Sequence, residues 1–274
     1  MDLLALARTH SFLAAATVAA LGGWLSDRAG FPSRGNLLAM GAAALVVAGA
    51  NTFNDCVDVD ADAVSMPGRP LPAGRISRRA AQGFAATLFA AAAIVGAVMG
   101  AGEVIVVLAA IAIAVGYSLR LKRIPVVGNA CVGVMAAVPC MFGAVSAGSV
   151  PSKLAIAALA ISSFMFAFET LKTVRDRDGD ELVGARTTAV ALGDVVAFRL
   201  VRYALFVSLA TLLFGLPAAR LPAAYLTLFI AGTTPLVIGG VLARSDEALT
   251  EEMGRALLLL RLAWLPSIGA LFCL

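Results

Sequence analysis

"AMGAAALVVAGANTFNDCVDVDAD", residues 39–62, passes from a run with no polar side chain into four aspartates, Asp55, Asp58, Asp60 and Asp62. The apolar half belongs either to the core of a soluble domain or to the inside of a membrane, and composition decides between them. The chain has 274 residues, of which 61% are hydrophobic and only 14% charged, and its mean hydropathy is +0.93. Soluble domains run at about 45–50% apolar and about 25% charged. A single core has no use for so much apolar sequence, whereas helices of about 20 residues use it fully when lipid solvates their outer faces. The expectation is an all-α, polytopic membrane helix bundle forming one domain over residues 1–274.

Apolar runs separate at 10–26, 36–53, 82–101, 103–119, 126–148, 154–171, 195–216, 222–243 and 256–274, which predicts about nine transmembrane helices. A turn at Gly102 divides the third run from the fourth. The runs are long, rich in Ala and Leu, and lack the period-two alternation of strands. The first run follows Arg8 and His10 without the basic region and cleavage site of a signal peptide, so it is read as the first span. His10 is read as interfacial structure.

With nine spans the loops alternate sides, and the basic residues fall unevenly between them. Of the 21 Lys and Arg, only Arg28, Arg34, Lys153 and Arg220 lie in loops on the far side, and Arg261 lies inside the last run; the rest, Arg244 among them, share the side of the N-terminus. The positive-inside rule makes that side cytoplasmic, in an inner or plasma membrane. The net charge of +4 is thus scattered through short loops as a topology signal, and no basic tail points to nucleic acid. The cysteines at 56, 131, 140 and 273 lack CxxC spacing and are read as small buried hydrophobes.

Asn51, Asp55, Asp58 and Asp62 are spaced four, three and four, so at about 100° per residue they share one helical stripe. Glu169, Lys172, Asp176 and Asp180, spaced three, four and four, form a second stripe of the same kind. Each carboxylate facing lipid at mid-bilayer would cost about 2.5–3.5 kcal/mol, so the acids must face a wet interior. Even there, like charges one turn apart repel unless cations join them. An oxygen-only ligand set without His or Cys suits a hard ion such as Mg²⁺, which binds one or two carboxylates together with substrate phosphates. Solvated loops whose acids balance nearby arginines are the plainer explanation for one such segment. Two of them at helix ends on one side of the membrane, each followed by a basic, Gly-containing loop, favour a shared ligand.

Asn54-Asp55-x-x-Asp58-x-x-x-Asp62 resembles the NDxxDxxxD signature of the UbiA superfamily of intramembrane prenyltransferases, and "MPGRPLPAGRIS" after it resembles that family's RPxxxGxIS loop. "KTVRDRDGDELVGARTTAV" is similar to the KDxxDxxGDxxxGxxT segment, with Thr173 standing where relatives often carry Asp, and "YSLRLKRIPVVGN" resembles the loop between family helices four and five. The resemblance implies two Mg²⁺ ions, one on Asp55, Asp58 and Asp62 and one on Asp176 and Asp180, and an isoprenyl diphosphate as donor. Asn51 and Asn54 are candidate oxygen ligands or orienting groups, and Arg69, Lys122, Arg123 and Lys172 candidate diphosphate contacts, because Lys and Arg make charge-assisted bonds to phosphate. Lys122 and Arg123 are equally explained as topology signals. Glu169 either orients Lys172, takes a proton late in the reaction, or is that lysine's structural partner. Tyr117 either stabilises an allylic cation through its ring face or is an interfacial aromatic.

The expected activity is transfer of the prenyl group to an aromatic or lipid-like acceptor in the membrane. A terpene cyclase of the same superfamily would use the same ionisation and need no acceptor. A cation-coupled transporter would predict Gly- or Pro-broken helices and acids at mid-membrane rather than at helix ends.

Overall fold

The computed structural model describes residues 2–242 and 250–274. Arg244 and the end of the 222–243 run lie outside the described residues. In chain order the helices are α1 (Asp2–Ala7), α2 (Thr9–Ser26), α3 (Arg34–Val57), α4 (Val59–Ser65), α5 (Arg78–Met99), α6 (Ala101–Leu119), α7 (Val127–Ser146), α8 (Leu154–Arg175), α9 (Arg177–Leu182), α10 (Thr188–Leu192), α11 (Asp194–Gly215), α12 (Pro222–Leu242) and α13 (Thr250–Phe272). Single 3₁₀ turns occupy Leu121–Arg123 and Leu216–Ala218, and no strand occurs among the described residues.

Every expected apolar run corresponds to one long helix. Seven of the long helices, all but α2 and α12, are long and apolar enough to cross a membrane by length and composition among the described residues. The protein is a polytopic helical membrane bundle. Two details differ from the sequence reading. A short helix, α1, precedes the first span, and the division between the third and fourth spans falls at Gly100 rather than Gly102. Gly100 adopts φ 157° and ψ 175°, a conformation essentially reserved for glycine, whereas Gly102 lies inside α6 and needs no special backbone.

The chain forms two compact units. The first comprises Met1–Lys122, Pro139–Val150 and Asp178–Gly184, and the second Arg123–Val138, Pro151–Arg177 and Ala185–Leu274. In the first, α3 packs against α2, α5 and α6. Its Ala39, Ala42 and Val46 meet Ala92, Val107 and Phe142 in a buried cluster. Small side chains are what let helices in lipid approach closely, since hydrophobicity alone gives no preference for helix over lipid. A close approach joins α2 to the end of α7: a Cβ added at Gly143 would sit 1.9 Å from the carbonyl oxygen of Ala19, and one at Gly22 would sit 1.8 Å from that of Cys140. Both obstacles are backbone. Gly143→Val is therefore expected to lower stability by about 1–3 kcal/mol or more, as overpacking does, and a fall in the thermal unfolding midpoint in detergent checks this.

In the second unit α8 is packed by α11, α13 and α10. Phe164, Ala167 and Leu171 of α8 are buried with Phe198, Val201 and Leu205 of α11 and Leu257 and Leu260 of α13. Cys56, Cys140 and Cys273 are buried and Cys131 is half-buried, all as free thiols, in keeping with packing rather than bridging roles.

Candidate active site

The first acidic segment is built on the end of α3. Helical periodicity carries Asn51, Asn54 and Asp55 around its last turns, and the helix stops at Asp58, whose backbone sits at φ −94°, ψ 9° while its N–H still donates to Asn54 O. Helix α4 restarts immediately and delivers Asp62. The expected single stripe is thus two helices joined at an aspartate in the sparsely populated bridge region. The second segment repeats the device: α8 ends at Arg175, Asp176 sits at φ −93°, ψ 7°, and α9 follows. Two acid-bearing helices that break at an aspartate with the same backbone angles are the clearest local likeness between the two segments.

Asp55 is 3% exposed and Asp62 7%, and buried carboxylates need countercharge. Asp55 accepts from Arg8 Nη2 at 2.5 Å and from Arg69 Nη1 at 3.4 Å. The same Arg69 nitrogen donates to Asp62 Oδ2 at 2.5 Å, so one guanidinium spans both acids. Asp58 is held by Lys122. Arg8, read from the sequence only as a topology charge, is therefore part of the site. It sits between α1 and α2 at φ 53°, ψ 77°, a left-handed conformation uncommon for a residue with a side chain. No sequence signal marked it beyond its charge.

Burial pushes the Asp62 carboxyl above the ordinary value of 3.8; Arg69 pulls it down, and Asp55 and Asp58 push it up further. A group that holds its proton more tightly when folded contributes stability present below the unfolded value and lost as pH rises through the raised one. Above that value the ionised carboxylate opposes folding, and further positive charge placed beside it relieves the opposition.

Asn51 Nδ2 donates to Ala7 O at 3.2 Å, tying α3 to the residue before Arg8. Asn54 Nδ2 reaches Ser118 Oγ of α6 at 3.5 Å. Both amides thus orient neighbouring helices through nitrogen, and these bonds leave their carbonyl oxygens out. Tyr117 is half-buried beside Ser118, Arg123 is exposed in the 3₁₀ turn, and Asp60 and Asp178 are exposed, off the two rows of acids.

In the second unit Lys172 Nζ donates to both oxygens of Glu169, at 2.9 and 2.8 Å. Arg175 makes a fork on Asp176, Nε to Oδ1 at 2.6 Å and Nη2 to Oδ2 at 2.7 Å. Asp180 is half-buried and belongs, with Asp178–Gly184, to the first unit. There Gly179 is buried against α4: a Cβ on it would lie 2.8 Å from Ala61 O and 3.2 Å from Ser65 Oγ. The helix bearing Asp180 therefore rests on the helix bearing Asp62.

Among the described residues no three His, Cys, Asp or Glu side chains form a ready metal cage; Asp55, Asp58 and Asp62 are each paired with Arg or Lys. The donor chemistry nevertheless fits Mg²⁺: oxygen ligands only, Asp55 and Asp62 buried and the others half-buried, and Asp62 raised in pKa by burial and by its acidic neighbours.

The profile of the UbiA prenyltransferase family matches residues 14–260. A digeranylgeranylglyceryl phosphate synthase of Methanoculleus marisnigri is 34% identical over 188 residues, which make up 68% of this chain and 66% of that protein. The chain thus spans just under two thirds of that relative's length. Among solved structures, an apo UbiA homolog from Aeropyrum pernix superposes with a TM-score of 0.76 at 19% identity, covering 93% of this chain and 95% of the other. A UbiA homolog from Archaeoglobus fulgidus bound to DMAPP and Mg²⁺ superposes with a TM-score of 0.70 at 20% identity, covering 97% and 99%.

Proposed function

The chain belongs to the UbiA prenyltransferase family, and from that premise we propose that it is a Mg²⁺-dependent prenyltransferase, moving an isoprenyl group from its diphosphate to a lipid-like or aromatic acceptor in the membrane. The observation that carries this reading is the repeated construction of the two acid segments, with α9 seated on α4 through Gly179. The family profile, running almost the whole length, supports residues 1–274 acting as one domain. The excess of basic residues on the N-terminal side supports an active site facing the cytoplasm, in an inner or plasma membrane.

Asp55, Asp58 and Asp62 would hold one Mg²⁺, and Asp176 and Asp180 a second. Bound ions would neutralise the charge that develops on the diphosphate as the allylic C1–O bond breaks. Arg8, Arg69 and Lys122, which pair with the first row of acids, would contact the diphosphate, and Lys172 is a further candidate for that role. Glu169, bonded through both oxygens to Lys172, would orient that cation or take the proton the acceptor loses. In this reading Asn51 and Asn54 would serve as oxygen ligands or orienting groups, Arg123 would add positive charge for the diphosphate, and the Tyr117 ring would stabilise the allylic cation.

The name of the M. marisnigri relative favours an acceptor of the glyceryl phosphate type. The acids at helix ends speak against a transporter: Pro139, Pro235 and Pro266 lie inside α7, α12 and α13 without interrupting them, and the sequence carries no Asp or Glu within five positions of any of them. Incubating purified protein with geranylgeranyl diphosphate and Mg²⁺, with and without geranylgeranylglyceryl phosphate or 4-hydroxybenzoate, tests the reading. Acceptor-dependent release of diphosphate and a prenylated product are expected. A terpene hydrocarbon or alcohol formed equally without acceptor would make the protein a cyclase, and no release under any condition would remove the enzyme reading.

A further inference from the structure

Val126, the residue before α7, holds a conformation that valine avoids. Its φ is 65°, and the residues on either side close a three-residue turn around it, Val127 N–H donating to Pro125 O at 2.7 Å. A positive φ at the centre of such a bond marks the γ-turn that is rare and strained, and for a β-branched residue it is a genuine outlier. Backbone of this kind persists where its surroundings over-determine it. Here they supply one hydroxyl. Thr188 Oγ1, on the first residue of α10, accepts the Val126 N–H at 2.8 Å and donates its own proton to Asn129 Oδ1. Thr188 and Asn129 are 1% and 4% exposed, so removing the hydroxyl would strand polar groups away from water.

These bonds, all within the second unit, fasten together two stretches that carry candidate donor contacts. Val126 and Asn129 close "YSLRLKRIPVVGN", residues 117–129, whose 3₁₀ turn Leu121–Arg123 bears Lys122 and Arg123 just ahead of the strained valine. Thr188 follows the second acid segment in "GARTTAV", residues 184–190. An ordinary helix start keeps the residue before its first turn in the extended region. A left-handed residue there brings the preceding chain into α7 from another direction, and Lys122 and Arg123 lie on that chain. Forming the helix has no need of the strain, and glycine or asparagine would take the same φ at less cost. What Thr188 adds is a fixed direction for the loop.

We propose that Thr188 is a positioning residue for the donor: by clamping Val126 in the left-handed turn, it sets the loop from which Lys122 and Arg123 meet the diphosphate. The proposal rests on the prenyltransferase reading and adds to it a residue that acts through its neighbours rather than on the substrate.

Trypsin reads the clamp without turnover. Arg120 and Arg123 are exposed at this loop, and cleavage there follows how often the loop leaves its turn. In the full chain in detergent, Thr188→Val keeps the side chain's shape and removes its hydroxyl. It is expected to speed cleavage after Arg120 or Arg123 by about fivefold or more, whereas Thr188→Ser stays within about twofold of the native protein. Adding Val126→Asn, which accepts a positive φ, should return the Thr188→Val protein most of the way. In the turnover assay Thr188→Val should raise the donor KM about tenfold while the acceptor KM stays within about twofold. Loss of folded protein alone would lower the rate and leave both KM values in place. Should Thr188→Val lack a cooperative thermal transition, Val126→Pro replaces it with the same expected cleavage and KM, because proline removes the same N–H and forbids a positive φ. An unchanged donor KM, equal losses in Thr188→Val and Thr188→Ser, or no recovery with Val126→Asn overturns the proposal even if transfer proceeds. Cleavage that depends on the Thr188 hydroxyl, in a protein that turns over no isoprenyl diphosphate, would instead uphold the clamp and remove the transferase reading.

Discussion

Asp55→Asn is expected to reduce Mg²⁺-dependent turnover by about 10³-fold or more, while the variant keeps a cooperative thermal transition in detergent. Asparagine has nearly the shape of aspartate, so the packing around a side chain only 4% exposed is retained, but the negative charge that Arg8 and Arg69 grip at 2.5 and 3.4 Å is gone. Removing one member of a buried ion pair typically costs about 3–5 kcal/mol. Here the loss should be nearer about 1–2 kcal/mol, because Arg8 and Arg69 are partly solvated and Arg69 keeps its bond to Asp62. The activity loss and the stability loss therefore separate: one is large and the other modest. Asp60→Asn is the matched control. Asp60 is exposed and off the stripe, and neutralising it should change turnover by no more than about twofold, as for a surface substitution away from such features. If the two substitutions reduced activity equally, general acidity of the segment rather than the position of its carboxylates would be what matters, and the metal assignment would fail.

The helices themselves were open to reading because a membrane bundle records its elements as long apolar runs, and each run became a helix. The acid rows were legible through their spacing of three and four. Their interruption was not: a spacing of 55, 58 and 62 is compatible with one continuous helix, and the break at Asp58 leaves the direction of the chain nearly helical, with φ −94° and ψ 9°. The turn at Gly100 was misplaced by two residues because both Gly100 and Gly102 were available and only the backbone angle tells them apart. Arg8 was missed for a different reason. Its role depends on a contact with Asp55, 47 positions away, and on a left-handed backbone that the sequence "ALARTH" does not announce. Asn51 and Asn54 were recognised as orienting groups or ligands, but the helices they orient, α1 and α6, are set by tertiary packing.

Gly179→Val is expected to lower turnover by about 10²-fold although it alters no charge and no candidate ligand. In α9 this glycine is pressed on α4, and a Cβ there would stand 2.8 Å from the backbone oxygen of Ala61 and 3.3 Å from Ser65 Cβ. Ser65 can turn aside, but Ala61 O is part of the helix and cannot. The added methyl groups must therefore lift α9 away from α4 by something on the order of 1 Å, a displacement that costs about 10²-fold when reacting groups are held in register. Asp180 would move with α9 and Asp62 would stay with α4. Gly102→Ala supplies the control, since nothing lies within 4 Å of the Cβ it adds, and it should leave turnover unchanged. Combining Gly179→Val with Asp180→Asn decides whether the effect runs through that carboxylate. If the glycine acts by positioning Asp180, the double variant should be hardly worse than Asp180→Asn alone, because the misplaced group is already neutral. Fully multiplied losses would mean that Gly179 supports activity by a route independent of Asp180. Unchanged turnover in a folded Gly179→Val protein would show that the contact between α9 and α4 does not hold the two acid segments in working register.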